Sequence, residues 1–113
     1  MFKTINAKGL KEMMDRGEEF VLVNVLDRGS FENERICGSV NIPVAGIQDA
    51  VHRIKRNETV IVHCSGTECK ASEFAARELE KLRFKDVRRF EGGLEEWKKE
   101  GFCLEGRLHE KAA

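Results

Sequence analysis

Two short runs of almost uninterrupted apolar residues place the strongest constraint on how this chain folds. FVLVNVL ends at Leu26, and ETVIVH ends at His63. Neither run alternates between apolar and polar side chains, so both are typical of parallel strands that are buried on both faces. A further run, DVRRF at residues 86–90, is interpreted as another strand of the same sheet.

Segments with helical spacing of apolar residues lie between these strands. One runs from Asn6, a plausible N-cap, to Arg16, and GGLEEWKKEG is predicted to form a short helix closed by Gly101. Strands that alternate with helices predict an α/β fold with right-handed crossovers and a parallel sheet. Two more helical stripes comprise Val44, Ile47, Val51 and Ile54, and then Ala71, Phe74, Ala75, Leu79 and Leu82.

Length and charge limit the classes of protein to consider. The chain has 113 residues, with 20 basic and 20 acidic side chains, so its formal net charge is zero. We expect a single domain over residues 1–113 and a monomer. Balanced charge disfavours nucleic acid or an anionic membrane as a partner. The first residues lack the apolar run of a signal peptide, which predicts a cytoplasmic protein.

The chain contains four cysteines, Cys37, Cys64, Cys69 and Cys103. A chain of this length can bury a core without disulfides, so the thiols are predicted to be reduced. Cys37 and Cys103 are assigned structural roles.

The stretch VIVHCSGTECKAS carries the candidate chemistry, because it runs from a strand through a turn into a helix. Cys64 ends the strand, where open α/β sheets bind their ligands. Successive N–H groups in the turn and the start of the helix favour an anion, so a lowered pKa and a nucleophilic Cys64 are predicted. Ser65, Gly66 and Thr67 are small enough to let the backbone wrap around an anion.

Three stretches resemble the single-domain rhodanese family of sulfurtransferases: VLVNVLDRGSFENERICGSVNIP, VIVHCSGTEC and VRRFEGGLEEWKKEG. The resemblance implies a five-stranded parallel sheet with helices on both faces. It also implies that Cys64 forms a persulfide, taking sulfur from a small donor such as thiosulfate or a persulfide. The implied acceptor is a thiol or a protein that accepts sulfur, and no cofactor is implied.

The chain departs from the family pattern at the loop and at the first strand. Asn24 and Leu26 stand where the family usually has aspartate and arginine. The C-x5-K spacing of Cys64 and Lys70 is similar to the C-x5-R loop of cell-cycle phosphatase and arsenate reductase domains. Lys70 is assigned to the thiolate, and Glu68 adds negative charge where the substrate anion would bind, which weakens the use of thiosulfate. A phosphatase or arsenate reductase and a non-catalytic interaction module are therefore the alternatives.

The remaining candidates near Cys64 have weaker signals. Cys69 either resolves a persulfide on Cys64 by forming a disulfide or is an inert loop residue. Strand alternation points the His63 side chain away from Cys64, so His63 is not assigned as a base. The C-x4-C spacing is not that of a zinc knuckle, and no metal site is predicted.

Overall fold

The computed structural model describes residues 1–110 and shows an α/β fold around a five-stranded parallel sheet. The predicted architecture, with helices on both faces of the sheet, is confirmed. The elements, in chain order, are β1 (Lys3–Ile5), α1 (Ala7–Asp15), β2 (Val21–Asn24), α2 (Arg28–Asn33), β3 (Arg35–Ile36), β4 (Val40–Asn41), a 3₁₀ segment (Val44–His52), β5 (Thr59–His63), α3 (Ala71–Lys81), β6 (Asp86–Phe90), α4 (Gly93–Lys99), β7 (Leu104–Glu105) and a 3₁₀ turn (Arg107–His109).

The order of strands places β5 at the centre of the sheet. That order is β1-β6-β5-β2-β4, and every neighbouring pair is parallel. β5 pairs with β2 on one side, where His63 lies opposite Asn24, and with β6 on the other, where Val62 lies opposite Arg89. The residue that follows β5 is therefore flanked by the ends of two other strands.

Alternate residues of β5 contribute to two different hydrophobic clusters. Val60 and Val62 pack with α3 and the 3₁₀ segment on one face of the sheet. Ile61 packs with residues of α1 and α4 on the other face. The sequence prediction that this strand is buried on both faces is confirmed.

Helix α1 begins where the sequence predicts it. The Asn6 side-chain oxygen accepts a hydrogen bond from the Gly9 backbone N–H at 2.8 Å, which satisfies one of the free donors of the first turn. The apolar residues Leu10 and Met13 are buried against the sheet.

One predicted helix has a different geometry, and another has a different buried face. The segment Val44–His52 forms a 3₁₀ helix that is interrupted at Gly46 rather than an α-helix. Its predicted apolar stripe is nevertheless confirmed, because Val44, Ile47, Val51 and Ile54 all pack in the core. On α3, Phe74 is 55% exposed and does not join the buried stripe that contains Ala75.

The prediction that all four thiols are reduced is also wrong. Cys37 and Cys103 form a disulfide, with their α-carbons 5.6 Å apart. They come together because Cys37 follows β3, Cys103 precedes β7, and these two short strands pair antiparallel. Cys64 and Cys69 have free thiols.

Candidate active site

Cys64 follows β5 directly, at the carboxyl end of the central strand. A loop over residues 65–70 connects it to α3, which begins at Ala71. The Cys64 side chain is only 1% exposed and belongs to the hydrophobic cluster on the α3 face of the sheet. The strand, loop and helix arrangement expected from the sequence is present.

Two oxygen atoms lie within hydrogen-bond distance of the Cys64 sulfur. Cys64 Sγ is 3.3 Å from the Cys69 carbonyl oxygen and 3.4 Å from Ser72 Oγ. Ser72 is in the first turn of α3 and is fully buried. The single S–H proton can be donated to only one of these acceptors at a time, so the thiol has two alternative partners.

The pKa of the Cys64 thiol is raised, contrary to the sequence prediction. Burial is the main cause, because it disfavours the charged thiolate, and the hydrogen bond with the Cys69 side chain acts in the same direction. Hydrogen bonds from Ser72 oppose this increase but do not overcome it. The predicted effect of the turn and the helix N-terminus is therefore outweighed by desolvation.

Cys69 differs from Cys64 because it is only partly buried. Burial by itself would raise the pKa of the Cys69 thiol, but hydrogen bonds with Cys64, Ala71 and Ser65 together lower it. Of the two free thiols in the described part of the chain, Cys69 is the one that its surroundings favour as a thiolate.

The other loop residues lie at different depths. Thr67 and Glu68 are exposed, Ser65 is half-buried, and Gly66 is buried with the Glu95 side chain directly over its α-carbon.

Lys70, the cation assigned to Cys64 from the sequence, is exposed at the start of α3. It lines a surface depression together with Glu73, Phe74 and Arg77. The hydrogen-bond partners of Cys64 Sγ are Cys69 and Ser72, so the structure does not bring the Lys70 ammonium into contact with the sulfur.

Arg89 on β6 is a site residue that the sequence interpretation missed. Its side chain is 6% exposed, and its Nε donates to Ser72 Oγ at 2.9 Å. Its Nη2 lies 3.4 Å from the Cys69 carbonyl oxygen. These are the two groups that contact Cys64 Sγ. The available signal was the pair of consecutive arginines in a strand, since alternation must direct them to opposite faces of the sheet.

The start of α4 supports the loop from behind. The backbone N–H groups of Leu94 and Glu95 donate to the carbonyl oxygens of Cys64 and Ser65, at 3.1 Å and 2.9 Å. Gly93 has a positive φ of 58°, and a Cβ on it would overlap the Cys64 carbonyl oxygen. Gly93, the first residue of α4, therefore lets the helix approach the loop closely.

Residues 6–100 match the sequence model of the family described as the Rhodanese-like domain. The chain belongs to the rhodanese-like family. It is 28% identical over 99 residues to the thiosulfate sulfurtransferase GlpE of Coxiella burnetii, covering 87% of this chain and 89% of that protein. It is 26% identical over 93 residues to the "Putative sulfur carrier protein YrkF" of Bacillus subtilis, covering 82% of this chain. The match spans only 49% of YrkF, about half of its length.

Two solved structures superpose closely on this chain. The BH2092 protein of Bacillus halodurans gives a TM-score of 0.89 at 28% identity, covering 98% of this chain and 82% of that one. The rhodanese-like domain of the Alr3790 protein from Anabaena gives 0.88 at 25% identity, covering 99% and 85%.

In this rhodanese-like domain, His63 lies on the face of the sheet opposite to Cys64. Its Nδ1 is 3.0 Å from the Cys64 carbonyl oxygen, and its ring packs near Phe90. Burial lowers the pKa of His63 to about 4, so the ring is neutral at pH 7. His63 supports the backbone of the site and does not reach the sulfur.

Residues 1–110 contain neither a metal cluster nor a membrane-spanning helix. No group of three or more His, Cys, Asp or Glu side chains is arranged to hold a metal ion. No helix in that range is long and apolar enough to cross a membrane.

Proposed function

We propose that this rhodanese-like domain is a sulfurtransferase that carries a sulfane sulfur as a persulfide on Cys64. The observation that supports this most strongly is a free thiol at the carboxyl end of the central strand, in contact with Ser72 and the Cys69 backbone. Membership of the rhodanese-like family and similarity to a protein named as a thiosulfate sulfurtransferase also support it.

In the first step the Cys64 thiolate attacks the outer sulfur of a small donor. With thiosulfate, a sulfur–sulfur bond to Cys64 forms as the bond to the sulfonate breaks, and sulfite leaves with the bonding electron pair. In the second step a thiolate or cyanide attacks the outer sulfur of the persulfide, which restores the Cys64 thiolate. The enzyme therefore divides one transfer into two displacements, and neither requires a cofactor.

The residues around Cys64 have separate proposed roles. Ser72 donates its hydroxyl hydrogen to the anionic sulfur. Ser65, Gly66 and Thr67 hold the donor with their backbone N–H groups and hydroxyls. Lys70 is exposed at the rim, so its positive charge acts on the approaching donor rather than on the sulfur.

Cys69 is proposed as a resolving thiol for the loaded enzyme. Its thiolate would attack the inner sulfur of the Cys64 persulfide, forming a disulfide and releasing hydrogen sulfide. The position of Cys69 in the same loop and its lowered pKa both favour this role.

The test is intact mass spectrometry after incubation with thiosulfate in the absence of reductant. We expect the wild-type protein to gain the mass of one sulfur atom, or to lose two hydrogen atoms where Cys69 has already resolved the persulfide, and Cys64→Ser to show neither change. A wild-type protein that shows neither change with thiosulfate or with glutathione persulfide would contradict the proposal.

A non-catalytic interaction module is the second candidate, and the burial of Cys64 favours it. A thiol that is 1% exposed and whose pKa is raised reacts slowly unless the loop opens. Failure of Cys64 to react with iodoacetamide at pH 7 in the folded protein would support the module. Turnover of an aryl phosphate or of arsenate would instead support the phosphatase or arsenate reductase alternative.

We infer a monomer whose partners are a small sulfur donor and a thiol or protein that accepts sulfur. The balanced charge disfavours nucleic acid and membranes as partners. The sequence favours a cytoplasmic location, whereas the Cys37–Cys103 disulfide favours an oxidising compartment.

A further inference from the structure

We propose that Arg89 is a positioning residue for the reactive sulfur, acting through the Ser72 hydroxyl and the Cys69 carbonyl. The inference rests on the proposed role of Cys64 as the sulfur carrier. The Ser72 hydroxyl and the Cys69 carbonyl both contact Cys64 Sγ. Both are uncharged, and both lie within hydrogen-bond distance of the positively charged Arg89 guanidinium.

The contact with Ser72 fixes the direction of a hydrogen-bond relay. Because Arg89 Nε donates to Ser72 Oγ at 2.9 Å, one lone pair of that oxygen is occupied. The hydroxyl hydrogen remains available, and the sulfur of Cys64 is 3.4 Å from the same oxygen. When Cys64 ionises, the hydroxyl donates to the thiolate, and no proton leaves Arg89. The positive charge thereby polarises the hydroxyl towards the sulfur.

The contact with Cys69 has a complementary effect. A carbonyl oxygen 3.3 Å from the sulfur accepts the S–H proton of the thiol but repels a thiolate. Arg89 Nη2 lies 3.4 Å from that oxygen and attracts part of its electron density. Both contacts therefore reduce the free energy cost of ionising Cys64.

The carboxylates near Arg89 contact a different nitrogen from the two that face the site. Glu73 on α3 and Glu91 after β6 each have a carboxylate oxygen 3.9 Å from Nη1, and both are more exposed than the arginine. These ion pairs stabilise a buried guanidinium, while Nε and Nη2 remain engaged inside the site. From the other packed elements, His63 is neutral behind the sheet, and Lys70 is exposed at the rim.

A lysine at this position could not make the same set of contacts. The guanidinium presents donors from three nitrogens in one plane, and here they face Ser72, Cys69 and the two carboxylates. A single ammonium nitrogen carries the charge but cannot occupy all these places. Arg89→Lys therefore separates the effect of charge from that of geometry.

The experiment measures the rate of Cys64 alkylation by iodoacetamide as a function of pH, with the modified residue located by peptide fragmentation. We expect Arg89→Met to alkylate Cys64 roughly tenfold more slowly than wild type at pH 7, with its profile displaced to higher pH. Arg89→Lys should fall between them. The matched control is Arg88→Met, which removes the neighbouring arginine that pairs with Asp86, and it should follow the wild-type profile.

A second comparison tests whether Arg89 acts through Ser72. In a Ser72→Ala background, adding Arg89→Met should change the alkylation profile much less than it does in wild type, because the hydroxyl that links Arg89 to the sulfur is already absent. If Arg89→Met fails to fold, as judged by circular dichroism, the Arg89→Lys and Ser72→Ala profiles decide the question. A folded Arg89 variant whose profile superimposes on that of wild type overturns the proposal.

Alkylation requires no sulfur donor, so the two proposals fail separately. An Arg89-independent profile in a protein that loads sulfur overturns only the positioning role. An Arg89-dependent profile in a protein that loads no sulfur overturns the sulfurtransferase function. Arg89 would then promote the ionisation of Cys64 in a protein with a different function.

Discussion

The α-carbon of Gly93 lies against the carbonyl oxygen of Cys64, so closely that a Cβ on Gly93 would overlap it. The two residues are held in this position by the Leu94 N–H, which donates to the same oxygen. Gly93 thus determines how closely α4 meets the loop that carries the candidate nucleophile.

Gly93→Ala should both destabilise the protein and impair sulfur loading. The positive φ and the overlap with the loop together should cost about 3 kcal/mol in the free energy of unfolding. Gly101→Ala is the matched control, because Gly101 also has a positive φ, 75°, but nothing lies within 4 Å of a Cβ built there. It should cost about 1 kcal/mol and leave loading intact. Urea unfolding and intact mass measure the two effects, and equal losses in both variants would show that the close approach is unimportant.

His63 should make the protein less stable as the pH falls from 6.5 towards 4. Its pKa is lowered to about 4 in the folded chain, so the unfolded chain binds a proton first, and stability that is complete above pH 6.5 is lost on acidification. The loss between pH 6.5 and 5.5 should be about 1 kcal/mol. Urea unfolding of His63→Asn should show a weaker pH dependence in this window. The exposed His52, replaced in the same way, should leave the wild-type dependence unchanged.

The two loop cysteines should have different effects on a loaded enzyme. Cys64→Ser should accept no sulfur, because a hydroxyl is not ionised at neutral pH, whereas Cys69→Ser should accept one sulfur and retain it longer than wild type. Peptide mapping of loaded wild type without reductant should show a Cys64–Cys69 cross-link. The roles would be reversed if Cys69→Ser could not load sulfur while Cys64→Ser could.

Glu68→Gln should improve the use of thiosulfate more than the use of a less charged persulfide. Glu68 is exposed in the loop, and its negative charge opposes the approach of a dianion. Steady-state assays with both donors should show a lower KM for thiosulfate. Glu19→Gln removes an exposed charge from outside the loop and serves as the control. An equal improvement with both donors would show that charge at this position does not select the donor.

Protein purified without reductant should show two titratable thiols after denaturation, belonging to Cys64 and Cys69. Complete reduction should reveal the second pair, and Cys37→Ser should lower the free energy of unfolding by about 2 to 4 kcal/mol. Cys69→Ser, which removes a free thiol, should not produce a loss of that size. Four titratable thiols before reduction would contradict the disulfide.

Patterns within single segments predicted most of the framework. The apolar run of β5, the N-cap at Asn6 and the stripe of α3 are local features, and the structure confirms each apart from Phe74. The position of Cys64 at the end of β5 follows from the same local pattern, since a strand followed by a helix determines where the loop lies.

The features that the sequence did not predict depend on contacts between distant segments. Cys37 and Cys103 are 66 residues apart, and they meet through two strands of only two residues, too short to leave a recognisable pattern. Arg89 lies on a neighbouring strand and contacts the site through its side chain. Strand alternation predicts which face of the sheet that side chain is on, but not which residues it contacts. The pKa of Cys64 depends on how deeply the side chain is buried, which the folded chain determines.

The hydrogen bonds from Leu94 and Glu95 to the carbonyls of Cys64 and Ser65 also have a consequence for synthesis. A ribosome produces the cysteine loop well before α4, so these two backbone acceptors have no α4 partner during that interval. The loop can take its final form only after the segment through Trp97 has emerged and packed. A nascent chain that stops short of α4 therefore holds Cys64 in an unsupported loop, and the surroundings of the Cys64 sulfur are complete only once α4 has been synthesised.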